Sequence, residues 1–227
     1  MVDLDASQQT ARQLNRRIKE LARRGEEINI LNPRALHNIA VGVLRPCTMR
    51  IDGSVGYYAA TMLDGPEVSI AGNAGWGLGE NMMSGKITLA RDAGASVGSS
   101  MRGGEIFVGG SAGARAGISM KSGTLIVRGD TGFMTGFMMQ KGRIIVCGDV
   151  GDAVGDSMYE GAIYVAGSIG SLGNDAEIVD VSEDELMDIW GALQGYGVDE
   201  KPRFTKIVSS KKLYHFDSLE RLEKTVI

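Results

Sequence analysis

Glycine recurs at a fixed interval through the middle of this chain, and that interval restricts the fold more than any other feature. Gly56, Gly75, Gly94, Gly113, Gly132, Gly151 and Gly170 fall one every 19 residues, seven times without a slip. A second series, Gly79, Gly98, Gly117, Gly136 and Gly155, follows four residues behind. A third, Gly85, Gly104, Gly123, Gly142 and Gly161, closes each unit. Glycine makes up 33 of the 227 residues, about twice the ordinary usage of ~7%. A flexible linker does not keep register in this way, whereas a stack of like supersecondary units does.

Each unit opens on a short β-branched alternation: Val68/Ile70, Ile87/Leu89, Ile106/Val108, Leu125/Val127, Ile144/Val146 and Ile163/Val165. Period-two alternation marks a strand with one buried face. Glycine then serves turns that need positive φ or a close approach of two backbones. Nineteen residues with no helical stripe suffice for one circuit of a parallel β-helix, whose coils pair at ~4.8 Å. The expected fold is therefore an all-β core, a right-handed parallel β-helix of about seven coils over 47–175. Residues 1–46 read as an N-terminal helix and capping segment, and 176–227 as a helical capping tail.

Three vertical ladders support the coil. Met82, Met101, Met120, Met139 and Met158, with Leu63 before them, share one position and read as an interior stack. Val55, Ala74, Ala93, Ala112, Thr131, Val150 and Ile169 share another. Ser54, Asn73, Asp92, Ser111, Asp130, Asp149 and Ser168 form a polar ladder, expected to hydrogen-bond turn amides rather than to bind calcium. In the flanks, Leu14, Ile18 and Leu21 have helical spacing up to a stop at Gly25. Ser182 and Glu185 make a capping box ahead of Leu186, Ile189, Trp190 and Leu193. A last helix is expected near Asp217–Ser218.

The chemistry of the chain excludes more than it offers. A net charge of −4 and 23% charged residues disfavour disorder, a membrane span and a nucleic-acid surface. Cys47 and Cys147 form neither a disulfide framework nor a metal-ligand spacing. The opening MVDLDASQQ has no apolar h-region, which points to the cytoplasm. The two histidines, His37 and His215, lie outside the coils, and no nucleophile–base motif stands out. Gly75-Trp-Gly-Leu-Gly79 imitates a dinucleotide loop, but another coil follows it where a helix should. No catalytic, cofactor-binding or metal-binding residue is expected in this chain.

The repeat G-x-x-G-x-x-x-G-x-x-M-x-x-G followed by I-x-V resembles the GXGXG β-helix domain that ends the large subunit of glutamate synthase. The same domain occurs as a separate β-helical subunit of formylmethanofuran dehydrogenase. "TARQLNRRIKEL" and "KLYHF" outside the coils look more like the free-standing β-helical subunit of N-methylglutamate synthase and its relatives. The resemblance implies a scaffold subunit of a hetero-oligomeric oxidoreductase complex. Its implied partners are a class II glutamine amidotransferase-like subunit and a flavin-dependent synthase subunit, with FMN and an iron–sulfur cluster held there. The alternative is the β-helical subunit of a formylmethanofuran dehydrogenase-type C1 complex. The amidotransferase's N-terminal cysteine has no counterpart in Met1-Val2, so no catalytic residue carries over.

One coil departs from its neighbours. In "TGFMTGFMMQKG", residues 131–142, Phe133, Met134, Phe137 and Met138 occupy outward positions, and Asp152 and Asp156 in the next coil are expected to rim them. The run is too short for the ~20 apolar residues of a membrane span. Tyr57, Tyr58 and Trp76 continue an aromatic stripe along the same face. Either a terminal helix folds over these side chains or they form a subunit interface. The interface is the expectation here, since Phe, Met, Tyr and Trp are enriched at such surfaces.

Overall fold

A computed structural model describes residues 1–211; the helix expected near residue 217, His215 and the KLYHF segment lie outside the described residues. The 19-residue step governs the pairing. Strands β3 (Thr48–Ile51), β4 (Asp64–Ile70), β5 (Ser84–Leu89), β6 (Glu105–Val108), β7 (Thr124–Val127), β8 (Arg143–Val146) and β9 (Ala162–Val165) pair in parallel, each with the next. Val68 stands beside Ile87, Ile87 beside Ile106, and so on to Ile163. A second wall is a line of single bridges joining Val55, Ala74, Ala93, Ala112, Thr131, Val150 and Ile169. The expected parallel β-helix is present.

Side chains of like kind stack inside it. The alternating strand residues, the methionine ladder and Leu78, Val97, Ala116 and Val154 form one continuous buried cluster. Met sits there because its flexible thioether fills the irregular space at a corner. One polar pair enters this interior: Thr135 Oγ1 lies 2.9 Å from Thr131 Oγ1 and 3.0 Å from the Gly132 carbonyl oxygen.

The outer turn solves a backbone problem. A turn between two coils has donors and acceptors that must be satisfied on both sides. Met134, Gly136 and Met138 all have positive φ, at 59°, 73° and 53°, so alternate amides point up and down the column. Met134 N–H donates forward to Asp152 O at 2.8 Å, Gly136 N–H back to Ala116 O at 2.8 Å, and Met138 N–H forward to Asp156 O at 2.9 Å. Positive φ at methionine costs on the order of 1 kcal/mol or more, and the inter-coil hydrogen bonds offset it. Gly132 serves another need: a Cβ there would lie 2.9 Å from the Ala114 backbone nitrogen of the coil below.

The ends are built from strands that the repeat does not announce. β1 (Val2–Asp5) and β2 (Ile28–Leu31) extend the parallel ladder below β3, Val2 pairing with Ile28 and Ile28 with Met49. Helix α1 (Ala11–Arg23) fills the long step between them, capped by Thr10 and Gln13, and drives Leu14, Ile18 and Leu21 into the interior cluster. At the other end β11 (Thr205–Ser209) pairs antiparallel with β9, and β10 (Ala176–Val179) pairs antiparallel with β11. Ile207 on β11 closes the interior.

Helix α2 (Glu183–Gln194) starts at the expected Ser182–Glu185 capping box. It lies along the outside of the column, where Ile189, Leu193 and Val198 bury Phe107, Ile126, Ile145 and Tyr164 of β6–β9. Among the described residues no helix is long and apolar enough to cross a membrane.

Candidate functional site

The outer turns carry the exposed aromatic and methionine side chains. Phe133 and Met138 are exposed, at 45% and 41%, while Met134 and Phe137 are half-buried. Tyr57, Tyr58 and Trp76 are exposed on earlier coils of the same face. Tyr57 stacks on Trp76 with centroids 5.4 Å apart, and His37 stacks on Tyr57 at 4.6 Å. The Tyr57 N–H also donates to His37 Nδ1 at 2.9 Å. His37 is thus the first rung of an aromatic stack that starts below the regular coils.

The two groups do not meet. Between Trp76 and Phe133 the same position holds Ala95 and Ala114, so the groups stand three coils, or ~14 Å, apart along one face. The face is a low alanine floor between an aromatic stack at one end and a Phe/Met cluster at the other. Asp156 does not join a rim around that cluster. It is buried, accepting from Asn174 N–H at 3.1 Å, Asn174 Nδ2 at 2.8 Å and Ser157 Oγ at 2.7 Å, which hold its carboxyl below the usual range. The acidic position next to Phe133 is Asp152, which accepts from Ser171 Oγ at 3.1 Å.

The polar ladder pairs coil to coil. Each side chain accepts from the amide of the ladder residue one coil on: Asn73 N–H to Ser54 Oγ at 3.0 Å, Ser111 N–H to Asp92 Oδ1 at 2.8 Å, Asp149 N–H to Asp130 Oδ1 at 2.8 Å. Serine, asparagine and aspartate interchange there because each offers one acceptor oxygen at the same reach. Among the described residues no group of three or more His, Cys, Asp or Glu is placed to hold a metal ion.

Cys147 follows β8 and packs beside the cluster under α2. Burial pushes its thiol up to about 11, and Arg128 offsets only part of that. It is therefore a thiol rather than a nucleophilic thiolate at neutral pH.

The surface beneath α2 is the feature that the repeat alone conceals. Glu185 accepts from the Tyr164 hydroxyl at 2.8 Å and pairs with Lys206, whose hydrogen bond is the main reason its carboxyl falls to about 2. Tyr196 stacks on Phe107 at 3.9 Å and donates to Glu105, and Arg143 pairs with Asp188. A signal for this docking surface is present in the strands: EIFV, TLIV, RIIV and AIYV carry an apolar residue where strict alternation calls for a polar one.

Comparison with known proteins follows the same coils. The model of the GXGXG motif family matches residues 39–189. The chain belongs to the GXGXG motif family. Protein GlxC of Rhizobium meliloti (strain 1021) is 38% identical over 82 residues, which is 35% of this chain and 36% of that protein. The likeness to that curated relative thus spans about a third of its length. In this GXGXG protein the matched segment contains every 19-residue coil, the outer turns from Tyr57 onward and the first part of α2, and it begins just after His37.

Proposed function

We propose that this chain is a β-helical scaffold subunit of a glutamate-synthase-type complex of the N-methylglutamate synthase kind. Its two partners are a class II glutamine amidotransferase-like subunit and a flavin-dependent synthase subunit carrying FMN and an iron–sulfur cluster. The observation that carries this reading is the outer turn face of a GXGXG solenoid. The column is held rigid by hydrogen bonds on both sides of every coil, and it presents Trp76, Tyr57 and Phe133 outward. A rigid surface with large exposed anchors suits a permanent subunit interface, because docking orders little backbone and the remaining cost falls on a few side chains. The half-buried Met134 and Phe137 complete the cluster around Phe133.

The test is purification of the tagged full chain from its native host, followed by mass spectrometry of what remains bound. Stoichiometric amidotransferase-like and flavoprotein subunits support the proposal. A molybdopterin-bearing subunit in their place would assign the chain to a formylmethanofuran dehydrogenase-type assembly instead.

A further inference from the structure

A trough runs along α1, between the helix and the segment 41–45, at the N-terminal end of the column. Arg12, Arg16, Lys19 and Arg23 line one side, and Arg45 closes it. These helical positions recur every three or four residues and so share one face. Glu20, the one carboxylate lining the trough among the described residues, is occupied by Arg16 and Arg17 at 3.3 Å each. The floor is apolar, formed by Ala22, Val41, Val43 and Leu44, the last 62% exposed. Asn15 fixes the trough's shape, donating to Asn38 O at 2.6 Å and accepting from Val41 N–H at 3.0 Å.

The complementary shape lies on the same molecule. α2 turns Ile189 and Leu193 inward and exposes Glu183, Asp184, Met187 and Asp188. Met187, 62% exposed, projects from the middle of this acidic face. The two helices have 13 and 12 residues, each roughly 18–20 Å long. Within one copy they cannot meet. α1 precedes β2, α2 covers β6–β9, and the intervening strands separate them by about 19 Å.

We propose that the basic trough on α1 receives the acidic outer face of α2 from a second copy of this chain. Met187 fits the apolar floor at Leu44, and the carboxylates of Glu183 and Asp184 meet Arg16 and Arg23. The apolar floor favours a protein helix over a phosphate backbone, which offers nothing to bury there. Both surfaces are held in shape before they meet, α1 by Asn15 and α2 by Arg143 and Lys206 through Asp188 and Glu185. Different patches of the two copies meet, so the contact repeats head to tail and builds a ring or a chain. This proposal concerns the chain's self-association and stands apart from the identity of its other partners.

Sedimentation velocity on the purified full chain tests it. At low ionic strength (about 20 mM salt) the weight-average mass should rise with concentration, and at about 0.5 M salt it should fall to that of a monomer, because exposed charges are screened. The variants Arg16→Glu/Arg23→Glu and Glu183→Lys/Asp184→Lys should each sediment as monomers and melt like wild type. An equimolar mixture of the two should associate again, since each then supplies the sign that the other lost. A wild-type chain that stays monomeric at every concentration and salt overturns the proposal without recourse to a variant. So does association of Arg16→Glu/Arg23→Glu at wild-type strength.

Discussion

Arg50, Ser69 and Thr88 stand in register on the outer face of β3–β5, and Phe107, Ile126, Ile145 and Tyr164 continue the same line on β6–β9. The inward residues of both halves are alike, Val68/Ile70 in one and Ile144/Val146 in the other, all buried. The outer residues differ because α2 covers only the second half. The interior of a solenoid thus records the fold, and its outside records what lies against it. On the outer turns Tyr57, Trp76 and Phe133 stay exposed, and the proposed partner subunit would cover them. The described helices direct their apolar faces elsewhere, α1 into the interior and α2 onto β6–β9.

The contrast between the two halves breaks most readily under α2. Ile145→Ala removes packing from a side chain with no exposed surface and should cost about 2–5 kcal/mol in chemical denaturation. Ser69→Ala, exposed in the same line, should stay within about 0.5 kcal/mol. Equal costs would mean that α2 is not a permanent cover in solution.

A pair of glycines tests whether the two halves share one backbone geometry. A Cβ on Gly75 would lie 2.9 Å from Gly56 C and Tyr57 N, and one on Gly132 would lie 2.9 Å from Ala114 N. Gly75→Val and Gly132→Val should therefore each cost about 1–3 kcal/mol in thermal melts, despite their different surroundings. A marked inequality would show that the coils are not equivalent along the column.

The smallest effect is one of pH. Glu185 sits below its ordinary 4.5, at about 2, because Lys206 and the Ser182 amide favour its charged form. A lowered carboxyl stabilises the fold fully above about 4.5, and that contribution is lost as pH falls from there towards about 2. The melting temperature of wild type should fall across that window more steeply than that of Glu185→Gln. The separation should amount to a few degrees, given the partial exposure of the pair. Parallel curves would show that Glu185 does not hold α2 in place.

The regular coils were legible in the sequence because each sees the same neighbours, so a single 19-residue period fixes strand, turn and ladder together. Where the period fails, legibility fails with it. β1 and β2 are joined by a step lengthened by α1, and no repeated glycine marks it. β10 and β11 pair antiparallel, and their residues carry no ladder position. The α2 site was written in Phe107, Ile126, Ile145 and Tyr164, but as an exception to alternation rather than a motif. Asp156 was unreadable for another reason: its carboxylate turns to Asn174, a contact that depends on the irregular last coil. In the outer turn, the sequence placed Phe133, Met134, Phe137 and Met138 all outward, whereas Met134 and Phe137 are half-buried in the turn, a difference that the repeat register does not encode.

The central claim is that the outer turn meets a partner subunit. It is tested most directly by purifying the Phe133→Ser/Phe137→Ser variant from the native host beside wild type, with a melting curve of each isolated chain. The account predicts a partner yield reduced at least several-fold and a melting temperature lowered by no more than about 5 °C, the part expected from removing the half-buried Phe137 ring. Normal partner recovery with an earlier melt would contradict it and place these rings in an intramolecular contact.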